Sequence, residues 1–527
     1  MSNNNFYITT PIYYPSGNPH MGHAYSSIVA DVFARFKRLE GKNVFFLTGT
    51  DEHGLKIQRE AEKNSKEVKV FCDEVSAKFK KLTQILNLSI DDFIRTTEQR
   101  HHDSVKAIWN KLVESGDIYL SKYAGWYSVS DEAYYTEDEI FTKGKKKFAK
   151  SSGSIVDWFE EESYFFKLSS WQEKLLDHYK NNPNFILPKS RNNEITQFVK
   201  TGLNDLSVSR TSFKWGVKVP NNDKHIVYVW LDALTNYISA LNFPDVKSKL
   251  YKEFWPANIH IIGKDILRFH TVYWPAFLMA AKLPLPLKIY GHGWILSEDK
   301  KMSKSTGNIL DPLEIVEKYG IDQLRYYLIK EVSLGNDGNI SMENLKNCVN
   351  NDLANNFGNL CQRVFSFIEK NCSGKLPVSK KLEEIDLILI NNLTSKIDEL
   401  IDDMDKQDLN SYIKKVVEFS FSANKYFNDL EPWALKKTNI NRMNTILYTI
   451  VTQIKNISIL LSPIIPISSD KILDIMNLKK GDLLLKSITN KDIFNHNLEF
   501  KKTSILFRKI ENDNWFSLSS WIWTHGF

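Results

Sequence analysis

The chain has 527 residues, 42% hydrophobic and 13% aromatic, with a formal net charge of +6 at pH 7. At about 150 residues per domain, that length calls for roughly three domains of a well-packed globular protein. So small a charge permits a nucleic-acid partner without arguing for one. Cys72, Cys348, Cys361 and Cys372 form no C-x-x-C pair. They fit free thiols in a reducing compartment better than a disulfide frame or a zinc knuckle. The N-terminus "MSNNNFYITT" carries no secretory or transit pattern. The most apolar run, Ile446 to Ile467, is interrupted by Lys455, Pro463 and Pro466. It predicts a buried helix and a loop, not a membrane span. A cytoplasmic enzyme is the expectation.

In chain order, "NFYITTPIYY" is aromatic and β-branched and predicts a strand. In the next stretch Ile28, Val32, Phe33 and Phe36 recur at helical spacing, and Gly41 ends the helix. "NVFFLTGTDEHG" predicts a buried strand running into a polar loop, and helical stretches follow to about Ser115. This is the opening of a Rossmann-type, doubly wound α/β fold with a parallel sheet. Residues 1–115 are its first half.

Residues 116–223 are aromatic, irregular and locally basic, with "KGKKKFAK" at 143–150. They predict an inserted connective domain. Strand and helix patterns resume in "HIVYVWLDALTNYISAL", "NIHIIGKDILRFHTVYWPAFLMAAK" and "LKIYGHGWI". The second half of the parallel sheet is therefore expected over 224–341. Residues 342–511 predict a separate α-helical bundle, and 512–527 form a tail of unassigned role.

Two motifs carry chemistry. "PHMGH" places His20 and His23 between the first strand and the first helix. Unpaired N–H groups at a helix start attract phosphate. Gly22 leaves room for a planar base against the backbone, and two imidazoles three residues apart share a face. "KKMSKSTGN" at 300–308 puts Lys301, Ser303 and Lys304 on a polar loop beyond the last strand. Ligands bind outside the carboxyl ends of the strands in such sheets, and ammonium groups there would meet the charge of a leaving pyrophosphate. Taken singly, the first pattern fits a structural histidine pair and the second a solvated loop.

"HMGH" and "KMSKS", in that order on a split nucleotide fold, resemble the two signatures of class I aminoacyl-tRNA synthetases. "TPIYYPSGNPHMGHAY", "LTGTDEHG", "YVWLDALTNY", "GKDILRFHTVYWPA", "KMSKSTGN" and "EPWALKK" narrow the resemblance to the methionyl-tRNA synthetase family, over residues 5 to 511. The resemblance implies a ligase that makes methionyl-adenylate from methionine and ATP, the latter as its Mg²⁺ complex, and passes the methionyl group to the 3′ end of tRNA(Met). It gives His20, His23, Lys301 and Lys304 catalytic parts on the phosphates. It assigns Gly22, Gly263, Asp265, Ile295 and Ser303 to ATP, with Gly263 and Asp265 on the ribose. The methionine pocket it implies comprises Ile12, Tyr14, Asp51, Trp230, Ala233, Leu234, Tyr237, Ile266, Phe269, His270 and Trp274. Asp51 and the Ile12 carbonyl would take the α-ammonium, and Tyr237 and His270 would face the sulfur. Arg210 matches an arginine near the site. Sulfur–aromatic contacts suit such a pocket, although aromatics at these positions also fit a plain core.

The resemblance is to the zinc-free branch of the family. "GWYSVSDEAYYTEDEI" holds Ser128 and Asp131 and no cysteine, so no structural zinc and no other metal site is expected. The basic run at 143–150 is read as a solvated loop. In the bundle, the resemblance gives Asn359, Arg363 and Trp433 to the methionine anticodon. No C-terminal tRNA-binding barrel follows, so a monomer without membrane attachment is expected. Two alternatives stand: a catalytically inactive relative that only binds tRNA, and a small-molecule adenylate-forming ligase.

Overall fold

The computed structural model describes residues 4–15, 17–131, 133–297, 300–301, 310–378, 381–478, 483–489, 498–502 and 505–511. They belong to two compact units. The first runs to Ile295 and takes in Gly335–Asp337; the second is built mainly from Glu314–Leu334 and the chain after Gly338.

The first unit is organised on six strands: β1 (Asn5–Thr9), β2 (Asn43–Thr50), β3 (Asp92–Arg95), β4 (Ile186–Leu187), β5 (Ile259–Gly263) and β6 (Ile289–His292). Their order is β3-β2-β1-β5-β6-β4, and every neighbouring pair is parallel. Val44–Thr50 and Ile259–Ile262 are buried without alternation, as strands covered on both faces must be. The chain leaves β1 for β2 on one side and returns in β5 on the other. The order therefore reverses between β1 and β5, and a crevice opens beyond their carboxyl ends.

Helix α1 (Met21–Leu39) fills the β1–β2 crossover with nearly its whole length buried. Lys37 and Arg38 in its last turn complement the helix dipole. Gly41, at φ 88°, turns the chain into β2. Helices α2 (Val229–Ser239) and α3 (Trp274–Ala280) pack into a core with residues of β1, β2, β5 and β6.

Two features of the sheet differ from the sequence expectation. Strand β4 is donated from inside 116–223. The strand over Asn222–Val227, expected in the parallel sheet, pairs antiparallel with Lys218–Val219 and Ser209–Arg210. The cause is local: Val219 pairs with Asn222, leaving a two-residue turn in which Asn221 has φ 62°. Such a turn closes a hairpin and cannot lead into a parallel crossover.

The rest of 116–223 centres on two long antiparallel strands, Ile118–Ser128 and Ile155–Phe166, paired from Ile118–Phe166 to Tyr127–Asp157. Tyr135, Ile140, Ala149 and Val156 make a small core at its outer end.

The second unit is helical, with α4 (Asn359–Asn371), α5 (Leu409–Asp429) and α6 (Ile440–Leu461) among its elements. A turn at Ser462–Ile465 and a helix over Pro466–Ile475 follow α6. Lys455 is buried inside α6, and its ammonium donates to the Ser487 carbonyl at 3.2 Å. Among the described residues no helix is long and apolar enough to cross a membrane. None of the four cysteines is in a disulfide.

Candidate active site

The crevice is lined first by the start of α1. His20 is the N-cap residue, and its Nδ1 accepts the Gly22 N–H at 3.1 Å. His23 reaches back, and its Nδ1 accepts the His20 N–H at 3.1 Å. The two rings stack with centroids 3.7 Å apart. A nitrogen that accepts from a backbone N–H carries no proton, so each neutral ring is protonated on Nε2. The pair thus carries two ring N–H groups at a helix start, where the helix dipole favours phosphate oxygens. His23 is wedged between Tyr13 and Phe79, at 4.8 and 5.1 Å. Burial, helped by His20, holds it well below the usual imidazole value, so it is a neutral donor. Gly22 has a further reason to be glycine: a Cβ there would lie 3.0 Å from the His20 ring.

Behind the histidines, the segment after β1 continues beside β2. Tyr13 N–H donates to the Gly49 carbonyl at 2.8 Å, and Asp51 N–H returns to the Tyr13 carbonyl at 2.9 Å. This places Ile12, Tyr14 and the buried Asp51 along one edge of the crevice. Two side chains that sequence reasoning passed over fix this loop. Glu52 is fully buried and takes a bidentate pair from Arg95, at 2.6 and 2.9 Å. The His53 Nδ1 meets the Asp232 carboxylate at 2.6 Å, and His101 Nε2 meets its other oxygen at 2.7 Å. Burial alone would raise the Asp232 carboxyl, but the two imidazoles outweigh it and hold it below its usual range. The signal was there in "DEH": buried charges need partners. Those partners, however, lie 43 to 179 residues away.

Trp230, Ala233, Leu234 and Tyr237 stand at i, i+3, i+4 and i+7 of α2, one stripe of a helix. Opposite them, the backbone widens into a π-type turn over Phe269–Tyr273 before α3, an irregularity often found at functional sites. The turn brings Phe269 flat onto Trp230, at 3.7 Å and 4°. It also sets His270 Nε2 2.7 Å from the Tyr237 hydroxyl. His270 Nδ1–H donates to the Ile266 carbonyl at 2.9 Å, so Nε2 is an acceptor and Tyr237 is the donor. Burial pushes His270 down to about 4. Trp274 is 0% exposed and lies 6.2 Å from the Tyr237 ring. Trp230, by contrast, is only half-buried. Arg210 is buried, donating to Ser207 and Ser209 and caged by Tyr127, Tyr134 and Tyr228.

The ends of β5 and β6 close the other side. Asp265 is exposed and folds over Gly263: a Cβ on that glycine would stand 2.6 Å from its Oδ1. Ile295 is buried, one residue beyond Trp294. His292 is a further residue missed in the sequence. Its Nδ1–H donates to the Gly293 carbonyl at 2.7 Å, and its Nε2 accepts from Ser26 of α1 at 2.7 Å. Burial lowers its pKa, so it ties β6 to α1 without charge. Lys301 pairs through its backbone with Leu296; Ser303 and Lys304 lie outside the described residues.

In the helical unit, Arg363 of α4 donates to Asn428 at 2.8 Å. Its guanidinium lies 5.2 Å from the Phe427 ring and 5.7 Å from that of Trp433. Trp433 is 43% exposed, so it is not a core residue. Asn359 is exposed at the start of α4. Among the described residues no group of three or more His, Cys, Asp or Glu side chains is arranged to hold a metal ion.

A stacked histidine pair at a helix start on the switch point of a parallel sheet, with an aromatic pocket, marks a class I aminoacyl-tRNA synthetase. The family described as tRNA synthetases class I (M) matches residues 6–365, and the anticodon binding domain of methionyl tRNA ligase matches 376–521. The chain is 50% identical over 476 residues to a methionine–tRNA ligase of Brucella suis, covering 90% of this chain and 92% of that protein. It is 46% identical to one of Rickettsia felis, covering 97% and 99%. The Mycobacterium tuberculosis methionyl-tRNA synthetase in complex with methionyl-adenylate superposes with a TM-score of 0.93 at 41% identity, covering 95% of this chain and 99% of that one. The chain belongs to the methionyl-tRNA synthetase family.

Proposed function

We infer that the chain charges tRNA(Met) with methionine in two steps. A methionine carboxylate oxygen attacks the α-phosphorus of ATP, forming the mixed anhydride and releasing pyrophosphate. A hydroxyl of the terminal tRNA ribose then attacks the anhydride carbonyl, and AMP leaves. The observation that carries this reading is the stacked His20–His23 pair, whose Nδ1 atoms both accept backbone N–H groups at the start of α1 and so leave the proton of each neutral ring on Nε2. Phosphoryl chemistry of this kind asks the protein for position and charge more than for covalent participation.

In this reading His20 and His23 hold the phosphates from one side, and Lys301, Ser303 and Lys304 meet them from the other. ATP enters as its Mg²⁺ complex. Gly22 and Ile295 border the adenine, and Gly263 and Asp265 take the ribose. Asp51 and the Ile12 carbonyl bind the α-ammonium. Tyr14, Trp230, Ala233, Leu234, Ile266, Phe269 and Trp274 shape the pocket. Tyr237 and His270 judge the sulfur, with the tyrosine proton now directed to His270 and available for redirection. Arg210 orders the aromatic cage beside the start of α2. Asn359, Arg363 and Trp433 read the anticodon. The exposed Trp433 favours this over a ligase that acts on small molecules alone, and the intact histidine pair favours it over an inactive tRNA binder.

The protein works as a cytoplasmic monomer without structural zinc. The absence of cysteine from 116–223 supports the last point. So does Asp131, whose carboxylate collects hydroxyls from Tyr135 at 2.8 Å, Ser154 at 2.7 Å and Ser152, closing this turn without metal.

ATP–pyrophosphate exchange across a panel of amino acids, without tRNA, tests the assignment. Methionine drives exchange; leucine, isoleucine, valine and cysteine do not. Equal exchange with leucine overturns it.

A further inference from the structure

One cluster at the mouth of the crevice surrounds Asp265, and its other members have no part in the chemistry above. The Lys264 ammonium donates to both oxygens of Asp337, at 2.7 and 2.8 Å. The same carboxylate accepts the Trp294 backbone N–H at 2.8 Å. The indole of Trp294 donates in turn to Asp265 Oδ1 at 3.3 Å, and the Lys264 ammonium lies 4.1 Å from the centre of its ring. The backbone is drawn in as well: a Cβ on Gly293 would stand 2.1 Å from the Asn336 carbonyl oxygen. Partial burial would raise the Asp337 carboxyl, but Lys264 and the Trp294 N–H hold it below its usual range.

An exposed carboxylate such as Asp265 has several rotamers open to it. Here one oxygen is engaged by an indole whose own position is set by Asp337 and Lys264. Lys264 also adjoins Asp265 in the chain, so Asp337 grips that residue from both ends. Residues 294 and 337 flank the whole segment carrying the lysine loop, and Asp337 joins the two flanks directly. An ordinary exposed ion pair contributes little; here the ammonium bonds both carboxylate oxygens, a second donor joins it on Asp337, and the lysine also makes a cation–π contact with Trp294.

We propose that Asp337 is a positioning residue for the ribose of ATP: through Lys264 and Trp294 it fixes the rotamer of Asp265. This rests on Asp265 being the ribose ligand. It concerns the binding of nucleotide and leaves the methionine pocket untouched.

The test is ATP–pyrophosphate exchange on the full chain with ATP, 2′-deoxyATP and 3′-deoxyATP, for wild type, Asp265→Asn, Asp337→Asn and Asp337→Ala. Asp337→Ala raises KM for ATP about tenfold, the scale of a weakened hydrogen bond to a charged group. KM for methionine and for the deoxy analogue lacking the held hydroxyl stay unchanged, so the preference for ATP over that analogue collapses. Asp337→Asn, which keeps an acceptor for Trp294 but loses the charge facing Lys264, falls between. If Asp265→Asn removes the preference and both Asp337 variants keep it, the inference is overturned and the ribose reading survives. If Asp265→Asn keeps it, the ribose reading itself fails. Should Asp337→Ala not fold, Asp337→Asn decides alone. A uniform loss of kcat with all KM values unchanged would make Asp337 merely structural and also overturn the proposal.

Discussion

His20 and His23 are donors because their Nδ1 atoms are committed to backbone N–H groups. This makes the charge state of His23 irrelevant to its task over the neutral range, since burial keeps it unprotonated. His23→Ala removes one donor to a charge-developing group, a loss of about 10²–10³ in rate. His23→Gln can place an amide N–H near the Nε2 position and recovers part of that. Single-turnover adenylate formation, followed by quenched flow, checks both; equal defects in the two variants would exclude the donor role. The resemblance named Trp230, Ala233, Leu234 and Tyr237 before the fold, and the helix over Val229–Ser239 sets them at i, i+3, i+4 and i+7. The network of Glu52, His53 and Asp232 was not legible in the sequence. Its members sit on separate elements, and only tertiary packing shows which charge answers which.

At the scale of elements, the turn into the Pro432–Leu435 helix decides what Trp433 does. Glu431 sits at φ 42°, ψ 58°, an uncommon conformation for a residue with a side chain. Pro432 is buried beneath it. The next residue is thereby exposed, with Arg363 close to its ring. Trp433→Ala should lower tRNA charging and leave pyrophosphate exchange intact, since one stacked base is worth about 1–3 kcal/mol. A thermal melt should shift only modestly, because Trp433 is 43% exposed and stands outside the bundle core. Charging of a tRNA already altered at its first anticodon base should suffer less; an equal defect on both tRNAs excludes the stacking role. Other elements escaped the sequence. The π-type turn at Phe269–Tyr273 leaves no mark in helical periodicity, yet it aligns Phe269 and His270 with α2. The two residues of β4 are too few to show a period at all. The hairpin at Asn221 was readable in "VPNND", where proline and asparagine signal a reversal.

At the scale of the whole molecule, the titratable groups are divided unevenly. His23, His102, His178, His260, His270 and His292 all belong to the first unit, and burial lowers every one of them, His102 and His270 to about 4. Unfolded, each binds its proton near pH 6.5. Between that value and the depressed one, the unfolded chain holds more protons than the folded chain, so stability falls as pH falls. Each such group contributes up to about 1.4 kcal/mol per pH unit across its window. Asp91 and Asp322, raised by burial, act in the opposite sense, and Asp322 does so in the helical unit. That unit has no histidine among its described residues. Lowering the pH from 7 to 5 should therefore destabilise the nucleotide-binding unit selectively and leave the bundle nearly as stable as before. Scanning calorimetry over that range should show one transition moving down while the other holds. Hydrogen exchange assigns them, with loss of protection in β1, β2 and β5 ahead of α5 and α6. Transitions that shift together, or a bundle that loses protection first, would show that the buried histidines do not govern acid stability.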